Sequence, residues 1–158
     1  MTDVKKKTFS EALFELSVPF ERKQVKFRDA GHGKRVAYAD VRTYINRLDE
    51  VFGGLWQDTI TIAENGVAIC SIGLKAGEEW IWRSDGAGQT NIEGEKGGIS
   101  DAFKRACVKW GLGRYLYYLP DNAEQNFPEW ATPSGYRQAK GQGEEGNKSS
   151  LRRLSQNI

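Results

Sequence analysis

Cysteine and histidine are scarce in this chain, with two cysteines and one histidine among 158 residues. Cys70 and Cys107 have no CxxC spacing, so both thiols are expected to stay reduced. With His32 as the one imidazole, a structural zinc site would need carboxylate help and is not expected. No apolar run approaches the roughly 20 residues of a membrane span. The opening MTDVKKKTFSEALFEL lacks the apolar core and small-residue cleavage site of a signal peptide. A cytoplasmic protein is the expectation. Nucleotide-cradling loops are missing too. Gly31-His32-Gly33-Lys34 runs into Arg35 where a phosphate loop needs Ser or Thr, and Gly86-Ala87-Gly88 lacks the third glycine of a dinucleotide fingerprint. His32, flanked by glycines, reads as a solvated turn residue before it reads as a general base.

What is present is charge, and it is segregated. The net charge of +2 conceals a block at 22–47 with eight Lys/Arg against two Asp/Glu. Residues 48–95 reverse this, with two Lys/Arg against nine acids, and 96–118 return to five Lys/Arg against one. Such blocks create local fields larger than the net charge implies. Sign clustering by chance is the plainer account.

The length fits one domain with a real hydrophobic core. Ser10 is placed to cap a first helix with Ala12, Leu13 and Leu16 on one side and Pro19 as its stop. Residues 24–38, QVKFRDAGHGKRVAY, read as a basic β-hairpin around Asp-Ala-Gly-His-Gly. A helix fits 40–52, with Val41, Tyr44, Ile45, Leu48 and Phe52 at helical spacing before Gly53-Gly54. Three strands follow at 55–63, 67–75 and 78–85, divided by Glu64-Asn65-Gly66 and Ala76-Gly77, as an antiparallel meander with one buried face. A glycine-rich loop, GAGQTNIEGEKGG, precedes a long helix that ends at Gly111-x-Gly113.

On that helix Ile99, Ala102, Phe103, Ala106 and Trp110 form one stripe. Lys104, Arg105 and Val108 point the other way, with Asp101 among them and Lys109 at the edge. The predicted architecture is α+β: a three-stranded antiparallel sheet packed on a long helix, plus the basic hairpin. Residues 8–130 make the core domain and 131–158 a flexible polar tail. Trp56, Trp80, Trp82 and Trp110 are assigned to core or interface, and Tyr115, Tyr117 and Tyr118 to packing within the domain or against a neighbouring subunit. Lys5-Lys6-Lys7 reads as a frayed charged terminus.

A magnesium-dependent nuclease would draw on Asp85, Glu93, Glu95 and Lys96, because carboxylates hold the metals that polarise phosphates. Its Glu-x-Lys element needs one residue between acid and lysine. Gly94 occupies that acid position and Glu95 adjoins Lys96 directly. The spacing misses by one.

Taken together, FRDAGHGKRVAY, VFGGLW and GEKGGISDAFKRACVKWGLGRYLY resemble the Rad fifty-two family of single-strand DNA annealing proteins, in the flavour of its bacterial DdrA-type and phage members. The resemblance covers about residues 10–120. It implies a β-β-β-α unit assembled as a homo-oligomer, a ring or arc, that anneals complementary strands in recombinational repair without ATP or any other cofactor. It also implies single-stranded DNA lying in a basic groove. Arg28 matches the groove arginine before the glycine-rich turn and Tyr38 the groove tyrosine after it. Lys96 fits a basic position entering the long helix, and Lys104 with Arg105 match its Lys-Arg pair. Lys34, Arg35 and Lys109 complete the expected DNA-binding set. Val108 stands where the family has a further arginine. Val67 stands where it has a lysine of a second DNA site, which leaves that site built differently here or missing.

The residue types fit this role on their own terms. Lys and Arg neutralise phosphates and release counterions without sequence preference, and a tyrosine among them stacks on a base or packs the groove wall. Lys104 and Arg105 as merely solvated residues, and Tyr38 as an edge-strand aromatic, are the structural alternatives. A passive end-protecting binder is the functional one. No enzymatic role is expected, and the tail is a candidate contact for a single-strand binding protein.

Overall fold

A computed structural model of the chain describes residues 6–88 and 95–141. Helix α1 spans Phe9–Ser17 and is opened by Thr8, not by Ser10. Thr8 Oγ1 accepts from the Glu11 amide at 3.1 Å, and the Thr8 amide donates to Glu11 Oε2 at 2.8 Å. This reciprocal box satisfies two donors that a helix start otherwise leaves open; Ser10 has Leu13 three residues on and cannot form it. Thr8→Ala is expected to lower stability by about 1 kcal/mol, read by urea denaturation.

Strands β1 (Lys26–Asp29) and β2 (Arg35–Tyr38) form the expected hairpin, with Arg28 opposite Val36 and Lys26 opposite Tyr38. Its tip runs through three residues of positive φ, Gly31 at 87°, His32 at 53° and Gly33 at 74°. Asp29 Oδ1 accepts from the Gly31 amide at 2.8 Å to hold the turn. Helix α2 (Val41–Phe52) is capped by Asp40, whose Oδ1 accepts from the Arg42 amide at 2.9 Å. It buries Tyr44, Leu48 and Phe52.

The half-buried Arg47 on α2 spends its donors on main chain. Nη1 reaches the carbonyls of Glu15, Leu16 and Val18 at 3.0, 3.4 and 2.6 Å, and Nη2 that of Pro19 at 3.3 Å. The chain leaving α1 is thereby fastened over α2. Burial pulls the Arg47 pKa below its ordinary value.

Strands β3 (Trp56–Ile62), β4 (Ala68–Ala76) and β5 (Glu79–Ala87) form the antiparallel meander in that order. Alternation on β4 buries Ala68, Cys70, Ile72 and Leu74. Helix α3 (Glu95–Lys109) contributes Ala102, Phe103, Ala106 and Cys107 to the same core, with Trp110 just beyond its end. The Trp110 indole donates to the Ile72 carbonyl at 3.1 Å, and Phe103 meets Trp56 edge-on at 6.2 Å between centroids. Both cysteines are buried, and desolvation pushes the Cys70 thiol up to about 11. The register turns Trp80 and Trp82 to the opposite face, where their rings lie 6.4 Å apart and Trp82 remains 42% exposed.

Beyond α3, Gly111 and Gly113 take φ of 92° and 75° and redirect the chain into a 3-10 turn at Arg114–Tyr118. Residues 133–141, expected to begin the flexible tail, instead form helix α4 (Pro133–Gly141). Pro133 suits the first helical position, and Thr132 Oγ1 accepts from the Gly135 amide at 3.1 Å. Tyr136 packs 5.7 Å from Phe14 and hydrogen-bonds Ser17 Oγ at 2.8 Å, while Arg137 pairs with Glu15 at 2.8 Å. Residues 142–158 lie outside the described part. No helix among the described residues is long and apolar enough to cross a membrane.

Candidate nucleic-acid interface

Between the hairpin, α3 and the 3-10 turn lies a cleft of about 590 Å³. The hairpin lends it Arg28, Lys34, Arg35 and Tyr38, and α3 lends Lys104 and Arg105. Six of the eight expected binding residues thus border one space, although the hairpin and α3 stand far apart in the chain. Lys109 is exposed beyond the cleft at the end of α3, and the Lys96 side chain lies outside the described residues.

Each side chain is held differently. Arg28 and Tyr38 share one face of the hairpin because they sit on facing strands in matching phase. Tyr38 is half-buried, with the Lys104 ammonium 5.9 Å from its ring centre, a cation–π distance. Lys104 also reaches the Ala39 carbonyl at 3.4 Å. Tyr38 is therefore a wall of the cleft as well as a surface offered to it. Arg105 pairs with Asp85 of β5 at 3.4 Å. That contact occupies the carboxylate a nuclease would need for metal, while Glu93 and the Glu95 side chain fall outside the described residues.

Arg35 makes a two-pronged contact with Glu124, Nε to Oε2 at 2.9 Å and Nη2 to Oε1 at 3.0 Å. This hydrogen bond raises the guanidinium pKa and holds the carboxyl below the ordinary range. Glu124 thus sits where a phosphate would sit on Arg35. Asp101 and Asp121 also border the cleft, so its field is mixed, not uniformly positive. Glu124→Gln is expected to tighten binding of a polyanionic strand a few-fold at low salt and to steepen its salt dependence by about one contact. Fluorescence anisotropy over a salt series reads both.

Tyr117 adds to the cleft a residue outside the expected binding set. Tyr115, Tyr117 and Tyr118 were expected to pack the domain or a neighbouring subunit, and the 3-10 turn separates them. Tyr115 is buried, its hydroxyl accepting from the Phe20 amide at 3.1 Å, and burial pushes its phenol up to about 12. Tyr117 borders the cleft and is 65% exposed. A two-residue step on a tight turn changes faces, and that was the available signal. Leu116, Leu119 and Pro120 add apolar lining, so cations and apolar surface alternate around the opening.

An α+β scaffold that presents arginine, lysine and open tyrosine around one cleft has the makings of a nucleic-acid-binding protein. The family model for Rad52/22 family double-strand break repair proteins matches residues 8–130, and the chain belongs to that family. Among curated proteins it is similar to the single-stranded DNA-binding protein DdrA of Deinococcus radiodurans, 28% identical over 148 residues, covering 81% of this chain and 71% of that protein. The DdrA of Deinococcus deserti is 26% identical over 152 residues, covering 84% of this chain and 75% of its own length.

Proposed function

We propose that this protein binds single-stranded DNA in the cleft and anneals complementary strands in recombinational break repair, without ATP or metal. The observation that carries the reading is the meeting of Arg28, Lys34, Arg35, Tyr38, Lys104 and Arg105 around one opening. Membership of a double-strand break repair family and similarity to proteins named for single-stranded DNA binding support it. The cations hold sugar–phosphate by counterion release, which favours no sequence. Contacts confined to the backbone leave base edges free for a second strand, and the stiffer duplex then departs. The chemistry is binding, with no covalent step.

Residues 8–130 form the working unit in this reading, with the β3–β5 sheet laid on α3 as its β-β-β-α frame. Copies join as a ring or arc, the acid-rich 48–95 block of one meeting the basic blocks of the next. The setting is the cytoplasm of a bacterium or of a phage-infected cell, and the 131–158 tail is the contact for a single-strand binding protein.

The relatives' names favour a second reading, passive strand binding. Two complementary labelled oligonucleotides, mixed without ATP or metal, separate the two. An annealer speeds duplex formation and a passive binder slows it. Shortened strands on adding magnesium would replace both readings with the nuclease.

A further inference from the structure

Outside the cleft, three cations gather at the far end of α3. Arg83 of β5 donates from Nη1 to the Lys109 carbonyl at 2.6 Å. Arg114 donates to the same carbonyl from Nη2 at 3.0 Å and to the Val108 carbonyl from Nε at 3.1 Å. The Arg83 guanidinium lies 4.2 Å from the ring centre of Trp110, which is itself buried and tied to β4. Lys109 adds its own exposed ammonium.

A helix C-terminus carries roughly half a negative charge. Three cations exceed what it can neutralise. Among the described residues, none of the three lies within ion-pair distance of a carboxylate, whereas Arg35 and Arg105 in the cleft each have one. Like charges held together at a surface repel, and a polyanion relieves that repulsion. The two guanidiniums are also fixed in place by their carbonyl contacts and keep further N–H donors unspent, which is the preorganised form of a phosphate receptor.

Position supplies the identity of the anion. Lys109 follows Arg105 by four residues, so it lies on the same helix face and roughly 6 Å further along the axis. β5 runs beside this stretch, since Asp85 meets Arg105 and Arg83 meets the Lys109 carbonyl. The corner therefore continues the line of the cleft. We infer that Arg83, Lys109 and Arg114 form a second phosphate-binding site, which takes the sugar–phosphate of a single strand where it leaves the cleft.

This rests on the cleft holding single-stranded DNA, and the test keeps the two apart. The full chain and its Lys109→Gln and Arg114→Gln variants are titrated, over a salt series, with deoxythymidine oligomers of about four and about 30 nucleotides. The Lys109 ammonium makes no hydrogen bond among the described residues, so its replacement should leave the fold intact. The expected result is a salt slope shallower by about 0.7 per variant on the long oligomer, and no change on the short one. An unchanged slope on the long oligomer, with melting preserved, overturns the corner site. An unchanged slope with altered assembly mass by light scattering also overturns it, and gives the corner to the acidic face of a second copy. Wild-type protein that binds neither oligomer rejects the cleft reading and the corner with it.

Discussion

Gly113→Ala is expected to destabilise the protein by about 2–4 kcal/mol, lowering its melting temperature by roughly 5–15 °C. Gly113 has φ of 75°, and a methyl placed there would lie 2.6 Å from Tyr44 Cε1 and 2.7 Å from the Tyr44 hydroxyl. The left-handed backbone costs an L-residue about 1 kcal/mol. The collision adds an overpacking cost, because Tyr44 is buried against the Phe20 ring at 5.0 Å and cannot swing away. Gly77→Ala is the control. Gly77 has φ of 62° with nothing within 4 Å, so it incurs the backbone cost alone. Thermal melts of the two variants should differ clearly. Matching melts would show that Tyr44 yields without cost.

The larger functional effect is expected from the cleft. Arg28→Ala, Lys104→Ala and Arg105→Ala together should lower single-strand affinity about a hundredfold near 0.1 M salt, and reduce the salt slope by about 2. Each lost phosphate contact on a single strand removes about 0.7 of slope, equivalent to about fivefold in affinity at that concentration. The fold should tolerate the change. Arg28 is exposed, Arg105 gives up only a surface ion pair at 3.4 Å, and the Lys104 contact with Ala39 is long at 3.4 Å. A triple variant that melts normally and binds as tightly as wild type would remove the cleft from the account.

What could be read ahead of the structure divides along the range of the interactions. The hairpin, α2 and the meander were legible because period-two and helical spacing are local and glycine marks the turns. The cap at Thr8 was equally local: Thr8 precedes Glu11 by three residues, whereas Ser10 has no such partner. Trp56, Trp80, Trp82 and Trp110 were not separable by composition. Register alone sends Trp56 to the core side and turns Trp80 and Trp82 away from it. Helix α4 was missed because its sequence is polar, and what anchors it is Tyr136 on Phe14, more than a hundred residues distant.

The same divide runs through the site. Helical spacing put Lys104 and Arg105 on the outer face, but their DNA-binding role, like that of Arg28 and Tyr38, came from resemblance. Glu124 was invisible because its partner Arg35 is 89 residues away. The corner at Arg83 and Arg114 depends on which carbonyls lie at a helix end, a fact of three dimensions.

Arg47 clasps four main-chain oxygens and makes no ion pair among the described residues. Its grip has no acid to lose. Glu15 and Glu124, held below the usual carboxylate range by Arg137 and Arg35, contribute above their unfolded pKa and surrender that contribution as pH falls through their folded values. Acidification should therefore weaken the peripheral contacts of α4 and of the hairpin first, while the Arg47 clasp at the α1–α2 junction is untouched.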